Sequence, residues 1–311
     1  MQRRSLLLTA PKQLQWITET LPPLQPNEVL VQTTAGAISI GAELPQYRGM
    51  SRSSALPTYP HMTGYESLGT IISCGSTVHH LRIGDRIVAF YGHRTHGIVA
   101  EQKAICVPQN ISDAIALLSI LTCDVSKGIM KMGSLADRIL ITGAGAIGLL
   151  TCFMLRYYRS DIIIDVVEPR TERRTLALLL GAATALPPEE MPGLNNSYRM
   201  AFECSSSNAA FELMQQKMQK DGRICILADG NIEPLILTPA FHEKELNIIG
   251  SSDGLDYPTH AKLFFDYVQK LATNLEQLFD YQTTADNLAN AFANLANGTI
   301  SPIKILVKYT C

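Results

Sequence analysis

The sequence predicts an α/β protein in which a small β-rich domain precedes a doubly wound parallel sheet. Its first hundred or so residues break into short apolar runs punctuated by prolines at 22, 23, 26, 45, 57, 60 and 108. From about Asp113 the pattern changes to helical segments alternating with apolar strands, which implies a parallel sheet. A glycine-rich turn joins the first strand and helix of that alternating region.

Length and composition agree. The chain has 311 residues, about twice an ordinary domain, so two domains with a sizeable core are expected. Hydrophobic residues make up 46% and charged residues 17%, and 26 basic against 28 acidic side chains leave a net charge of −2. Nothing in that balance suits a nucleic acid or a charged membrane surface.

The β-rich region opens with Ser5 to Leu8. Its apolar run is too short for the core of a secretory signal, so Met1 to Trp16 reads as the start of the fold. Further strands are expected at Glu28 to Thr33, Glu66 to Cys74, Arg86 to Phe90 and Gln102 to Val107. A helix is expected from Asp113 to Met132. Six strands follow, at Ile139 to Thr142, Ile162 to Val167, Ala183 to Leu186, Met200 to Cys204, Arg223 to Leu227 and Leu246 to Gly250. Helices separate several of them, at Ala146 to Tyr158, Thr171 to Leu180 and Asn208 to Met218. Six is the full strand count of a dinucleotide-binding domain. Helical runs at Pro258 to Ala272 and Ala285 to Ala296, then a strand at Ile303 to Lys308, close the chain.

Ile139 to Leu155 is an uncharged stretch of 17 residues, at the lower limit for a membrane span. Its three glycines point elsewhere. Gly143-Ala144-Gly145-Ala146-Ile147-Gly148 is G-x-G-x-x-G placed after a strand and opening a helix. Gly143 suits the tight turn, Gly145 a close approach to pyrophosphate and Gly148 helix packing on the strand. The next strand ends at Glu168, near the spacing expected for the acid that binds the adenosine ribose hydroxyls. A carboxylate there repels a 2′-phosphate and favours NAD, whereas Arg170, Arg173 and Arg174 keep NADP open. Cys204 and Ser205, at the end of a later strand, complete the expected cofactor-contacting set with Arg170.

Seven cysteines, at 74, 106, 123, 152, 204, 225 and 311, never form a CxxC pair. Most lie in apolar runs, which fits reduced, buried thiols of a cytoplasmic protein.

The order of parts, with Pro26 to Val31, Tyr59 to Gly69, Gly84-Asp85-Arg86, Asp221 to Ile224, Glu243 to Leu246 and Pro302 to Ile305, resembles the medium-chain dehydrogenase/reductase superfamily. The resemblance implies a GroES-like catalytic domain over 1–120, completed by 252–311, and a Rossmann domain over 121–251. It implies an oxidoreductase that works as a homodimer, paired through the edge near Leu246 to Gly250. In zinc members of the superfamily the metal-ligand positions correspond to Ser39, Tyr65 and Ser119 here, and hydroxyls and a neutral phenol are poor Zn²⁺ ligands. Tyr91 to Val107 holds Cys106 alone, so a four-cysteine structural zinc is not expected either. The histidines at 61, 79, 80, 93 and 96 make no ligand set of defined spacing.

Ala37 to Glu43, with Gly64-Tyr65-Glu66, is similar to the signature of a zinc-less branch that contains 3-hydroxyethyl bacteriochlorophyllide a dehydrogenase. By that resemblance the substrate is a secondary alcohol or ketone, in the manner of a hydroxyethyl chlorin or a secondary metabolite. The polarising groups are then expected where zinc ligands converge in relatives: Ser39, Tyr65, Glu43 and Glu66. Tyr65 and Ser39 are expected on the substrate oxygen, with Glu43 or a nearby histidine, His96, relaying the proton. The other readings are an NADPH-dependent quinone or enoyl reductase and a cofactor-binding protein without catalysis.

Overall fold

The computed structural model describes residues 1–50, 58–191, 197–228, 230, 233–271 and 273–310. The chain divides into two compact units. One comprises Met1–Ile120, Asp256–Lys270 and Leu278–Cys311, and the other Leu121–Leu255 with Leu271–Gln277.

In the first unit β1 (Gln2–Ala10) turns at Lys12, whose φ is 63°, into its antiparallel partner β2 (Gln13–Thr20). Sequence reasoning misses β2 because none of its residues is fully buried and the face it turns to the core carries only Leu14 and Trp16 as apolar residues. Next comes β3 (Glu28–Ile38), which runs five residues past the expected end at Thr33. Ala35, Gly36, Ala37 and Ile38 are all buried, and their small size lets neighbouring strands close in. At Gly36 a Cβ would stand 3.1 Å from the Glu66 carbonyl oxygen. That extension delivers Ser39 directly to the start of a short helix, α1 (Ile40–Tyr47), which no hydrophobic period announces.

The unit continues through β4 (His61–Met62), β5 (Glu66–Cys74), β6 (Arg86–Ala89), β7 (His96–Ala100) and β8 (Ile105–Cys106). The long helix α2 (Asp113–Lys131) then leads into the second unit.

The second unit alternates strand and helix: β9 (Arg138–Thr142), α3 (Ala146–Tyr158), β10 (Ile163–Val167), α4 (Thr171–Leu179), β11 (Thr184–Leu186), β12 (Tyr198–Glu203), α5 (Asn208–Lys217), β13 (Met218–Ile226), α6 (Pro239–Glu243) and β14 (Asn247–Gly250). Its six strands are parallel in the order β11-β10-β9-β12-β13-β14, which is the 3-2-1-4-5-6 order of a dinucleotide-binding sheet. The strand order reverses between β9 and β12, where such sheets take their ligand. Leu140, Val167, Tyr198, Ala201, Phe211, Met214 and Ile224 pack the core on one face. Strand β14 lies at the open edge of the sheet.

The last segments return to the first unit as α7 (Tyr257–Val268), β15 (Tyr281–Thr284), α8 (Leu288–Ala296) and β16 (Ile305–Lys308). They belong there because one core joins both ends of the chain: Leu6, Leu8 and Ile38 pack with Leu288, Phe292, Ile305 and Val307. Strand β16 inserts between β15 and β3, and β3 pairs onward with β5 and β7. Expected residues Ala272 and Cys311, and residues 51–57 with Pro57, lie outside the described residues. Among the described residues, no helix is long and apolar enough to cross a membrane.

Candidate active site

Each unit carries half of the expected chemistry. In the first, Ser39 caps α1, yet its hydroxyl makes no bond to the helix backbone. The Ser39 Oγ instead accepts a 2.6 Å hydrogen bond from the Tyr65 hydroxyl, so the two residues expected at the substrate oxygen are brought together. The cap is supplied by Glu43, whose Oε1 accepts from the Ser39 backbone N–H at 2.8 Å. Its other oxygen lies 3.1 Å from His93 Nε2, and both side chains are buried. Glu43 therefore meets Ser39 through the backbone and not through the hydroxyl, which corrects the expected role as a proton relay at that oxygen.

The relay histidine also needs correction. His96 lies in β7 opposite Gln32, seven positions along β3 from Ser39, or roughly 23 Å of extended strand. Its Nδ1 meets Thr95 Oγ1, and burial lowers its pKa. His93 is the histidine that faces Glu43, because it precedes the strand whose register carries residue 96 away. Both were visible as a His-x-x-His pair, and only the pairing of β7 distinguishes them.

Glu66 follows Tyr65 but, as its neighbour in an extended chain, faces the opposite way. Its Oε1 accepts from Lys304 Nζ at 2.7 Å, and both side chains are 1% exposed. Burial pushes the Glu66 carboxyl up, against the pull of Lys304. Its hydrogen bond goes to Lys304 and not to Ser39 or Tyr65, while the charges of Glu43 and His93 also act on it. Lys304 carried one signal in the sequence, a lone cation in the apolar run from Ile303 to Val307.

Ser119 is fully buried in α2, and its hydroxyl donates to the Ala116 carbonyl at 2.6 Å. Among the described residues, no group of three His, Cys, Asp or Glu side chains could hold a metal ion. Two serines and a phenol do not fit Zn²⁺. Beside Tyr65, Phe90 stacks at 6.3 Å between ring centroids and is itself met edge-on by Tyr257.

The second unit builds the cofactor half. Gly143 has φ +86°, and a Cβ on it would lie 2.8 Å from Ser205 Cα, so Cys204 and Ser205 wall the turn. A Cβ on Gly148 would stand 1.9 Å from the Gly143 carbonyl oxygen, the close packing of helix on strand that the motif implies. A Cβ on Gly145 would meet nothing within 4 Å, leaving room for a pyrophosphate beside the first turn of α3. Ala146 and Ile147 open that turn, and the cap at Gly145 offers it no side-chain acceptor.

Glu168 closes the far side. Its Oε2 accepts from Ala144 N–H at 2.7 Å and its Oε1 from Arg170 N–H at 3.0 Å. Those bonds leave acceptor capacity on each oxygen for ribose hydroxyls. Arg174 binds the carbonyl oxygens of Glu168 and Pro169 at 2.9 and 2.7 Å. Cys204 Sγ lies 3.8 Å from Thr151 Oγ1, and burial pushes its thiol well up. Sequence reasoning missed Glu203, whose Oε1 accepts from both the N–H and the hydroxyl of Ser205 and from Ser206 N–H. It is the side chain that shapes the wall over Gly143. These residues fit a nicotinamide dinucleotide.

Comparison with known proteins agrees with the architecture. Residues 25–146 match the alcohol dehydrogenase GroES-like domain. L-threonine 3-dehydrogenase of Pectobacterium atrosepticum is 25% identical over 266 residues, covering 72% of each chain. A dehydrogenase of Sinorhizobium meliloti 1021, described as zinc-binding and bound to NADP, superposes with a TM-score of 0.83 at 17% identity over 99% of both chains. An alcohol dehydrogenase of Escherichia coli CFT073 complexed with NADH superposes at 0.80 with 21% identity, again over 99% of both. At such identities the superpositions speak for the fold.

Proposed function

We propose that this chain, which carries an alcohol dehydrogenase GroES-like domain on the medium-chain dehydrogenase/reductase fold, is a zinc-independent oxidoreductase acting on a secondary alcohol or ketone with NAD(H). The observation that carries the reading is the 2.6 Å bond from Tyr65 to Ser39, two hydroxyls standing where the resemblance puts metal ligands. The bound cofactor supplies or receives the hydride at its nicotinamide ring. The chain's own residues handle the proton. Ser39 accepts from Tyr65 and spends nothing on the helix cap, so its hydrogen is free for the substrate oxygen.

In ketone reduction the new hydroxyl takes the Ser39 proton as the carbon gains hydride, Ser39 takes the Tyr65 proton, and half-buried Tyr65 regains one from solvent. Oxidation runs the same transfers backwards. Glu43 holds Ser39 at the end of β3 throughout.

Glu168 supports NAD over NADP, because its carboxylate repels a 2′-phosphate and Arg174 is occupied by backbone oxygens. The test compares NADH with NADPH on a ketone panel and an enone, with and without a chelator. L-threonine and a hydroxyethyl chlorin serve as alcohols for the reverse reaction. Chelator-insensitive, NADH-linked turnover of an alcohol/ketone pair is expected. NADPH-linked reduction of the enone alone would move the protein to the quinone/enoyl reductases, and cofactor binding with no turnover would make it a non-catalytic binder. A homodimer paired through β14 belongs to the same reading, and a monomeric mass at micromolar concentration overturns that part.

A further inference from the structure

The Ser39–Tyr65 pair depends on two neighbours that share one side chain. On one side is Glu43. It can keep Oε1 on the Ser39 N–H, and so leave the Ser39 hydroxyl to Tyr65, only if its second buried oxygen also finds a donor. That donor is His93 Nε2 at 3.1 Å. On the other side is Gly64, the residue before Tyr65. Its φ is +72°, and a Cβ there would lie 2.7 Å from the His93 ring. The backbone entering Tyr65 therefore runs directly against that ring.

Resting on the roles proposed for Ser39 and Tyr65, we propose that His93 is the positioning residue of the pair: one buried ring that sets Ser39 through Glu43 and Tyr65 through Gly64.

The ring is well held for the task. His93 is 1% exposed. Its backbone N–H donates to the Thr63 carbonyl at 2.8 Å, and its own carbonyl accepts from Leu6 N–H at 2.9 Å, so both flanking segments fix it. The edge of the ring meets Phe292 of α8 at 6.2 Å and 72°. Only χ1 and χ2 remain to be set, and the bond to Glu43 sets them. For an ionised carboxylate at Glu43, which only accepts, this hydrogen bond requires the ring proton on Nε2. His93 touches neither substrate nor cofactor in this role.

Two substitutions separate the donor from the bulk. His93→Phe keeps a ring of similar size and removes the donor; His93→Gln keeps a donor near the place of Nε2 and gives up the ring. The readouts are kcat and KM for the alcohol/ketone pair, and amide hydrogen exchange at Ser39, whose N–H is bonded to Glu43. His93→Phe is expected to lower kcat about 10- to 100-fold with KM within about threefold, the cost of misplacing groups by a fraction of an ångström. It is also expected to speed Ser39 exchange by about tenfold or more while the amides of β5 stay protected. His93→Gln should bring both back to within about threefold of the wild type.

Wild-type kcat and a protected Ser39 amide in His93→Phe would overturn the proposal. So would a Gln variant as impaired as the Phe variant, because ring volume would then be the whole role. Should His93→Phe fail to fold, His93→Asn replaces it, its amide too short to reach Glu43. If the wild type turns over no alcohol or ketone, the proposed function falls, and the Ser39 exchange comparison still decides the place of His93.

Discussion

Replacing Ser39 by Ala and Tyr65 by Phe in one chain is expected to lower kcat/KM on the true alcohol/ketone pair by about 10² to 10⁴, the ordinary worth of a positioned acid–base group. Cofactor affinity should stay as it is, because the glycine turn and Glu168 belong to the other unit. Ser39→Ala removes the atom that both accepts from Tyr65 and hands its hydrogen to the substrate. Tyr65→Phe leaves that hydrogen in place but removes the proton behind it. The two act as one chain, so each single substitution should cost nearly as much as the pair, and the effects should not add. Full kcat/KM in the double variant would sink the proposed mechanism.

Lys304→Met is expected to destabilise the first unit by about 3–5 kcal/mol, the usual penalty when one partner of a buried ion pair is removed. Lys304 and Glu66 are each 1% exposed and bonded at 2.7 Å, so the substitution strands a carboxylate that already has one buried oxygen without a protein partner. The single tryptophan, Trp16 in β2, packs on the core of that unit and reports its unfolding by fluorescence.

The deficit should depend on pH. Burial raises the Glu66 carboxyl above its ordinary value, and losing Lys304 raises it further. A carboxyl with a raised folded pKa holds more protons folded than unfolded, so stability is kept below the ordinary carboxylate range and lost as pH rises through the folded value. The gap between variant and wild type should therefore narrow toward acid and widen toward neutral pH. Glu66→Gln in the Lys304→Met background should recover most of the loss. A gap under about 1 kcal/mol at neutral pH, in the range of an exposed pair, would refute this account.

The parallel unit was the more legible half. Its central strands β9 and β10 are largely buried on both faces, so they read as apolar runs between turn residues, and α3 has the limits that the sequence predicts, Ala146 to Tyr158. Glycines in that unit have local reasons, such as the contact between Gly148 and the Gly143 carbonyl five residues earlier. In the β-rich unit, β2 and β15 are not legible in the sequence because half-exposed strands mix polar and apolar residues without a clean period, and β7 is only five residues with Gly97 and Val99 on its buried face. The short helix α1 was missed for a related reason: its eight residues include Pro45 and a buried Glu43.

Of the candidate site, residue types near one another along the chain were read, and partnerships across the fold were not. Ser39, Glu43 and Tyr65 came from the family resemblance. His93, and not the expected His96, meets Glu43, and Lys304, 238 residues away, holds Glu66.

By itself the sequence determined the α/β class, the order of its parts, and the glycine turn at Gly143 to Gly148 with Glu168 beyond it. These follow from periodicity, glycine chemistry and spacing within one strand–turn–helix unit, all short-range in the chain. The tertiary structure alone decided which histidine meets Glu43, that Glu43 binds the Ser39 backbone, and that the chain's end comes back to neutralise Glu66. Those choices depend on strand register and on a core shared by both ends of the chain. A shift of one residue in register turns a side chain to the other face, and no local pattern records it.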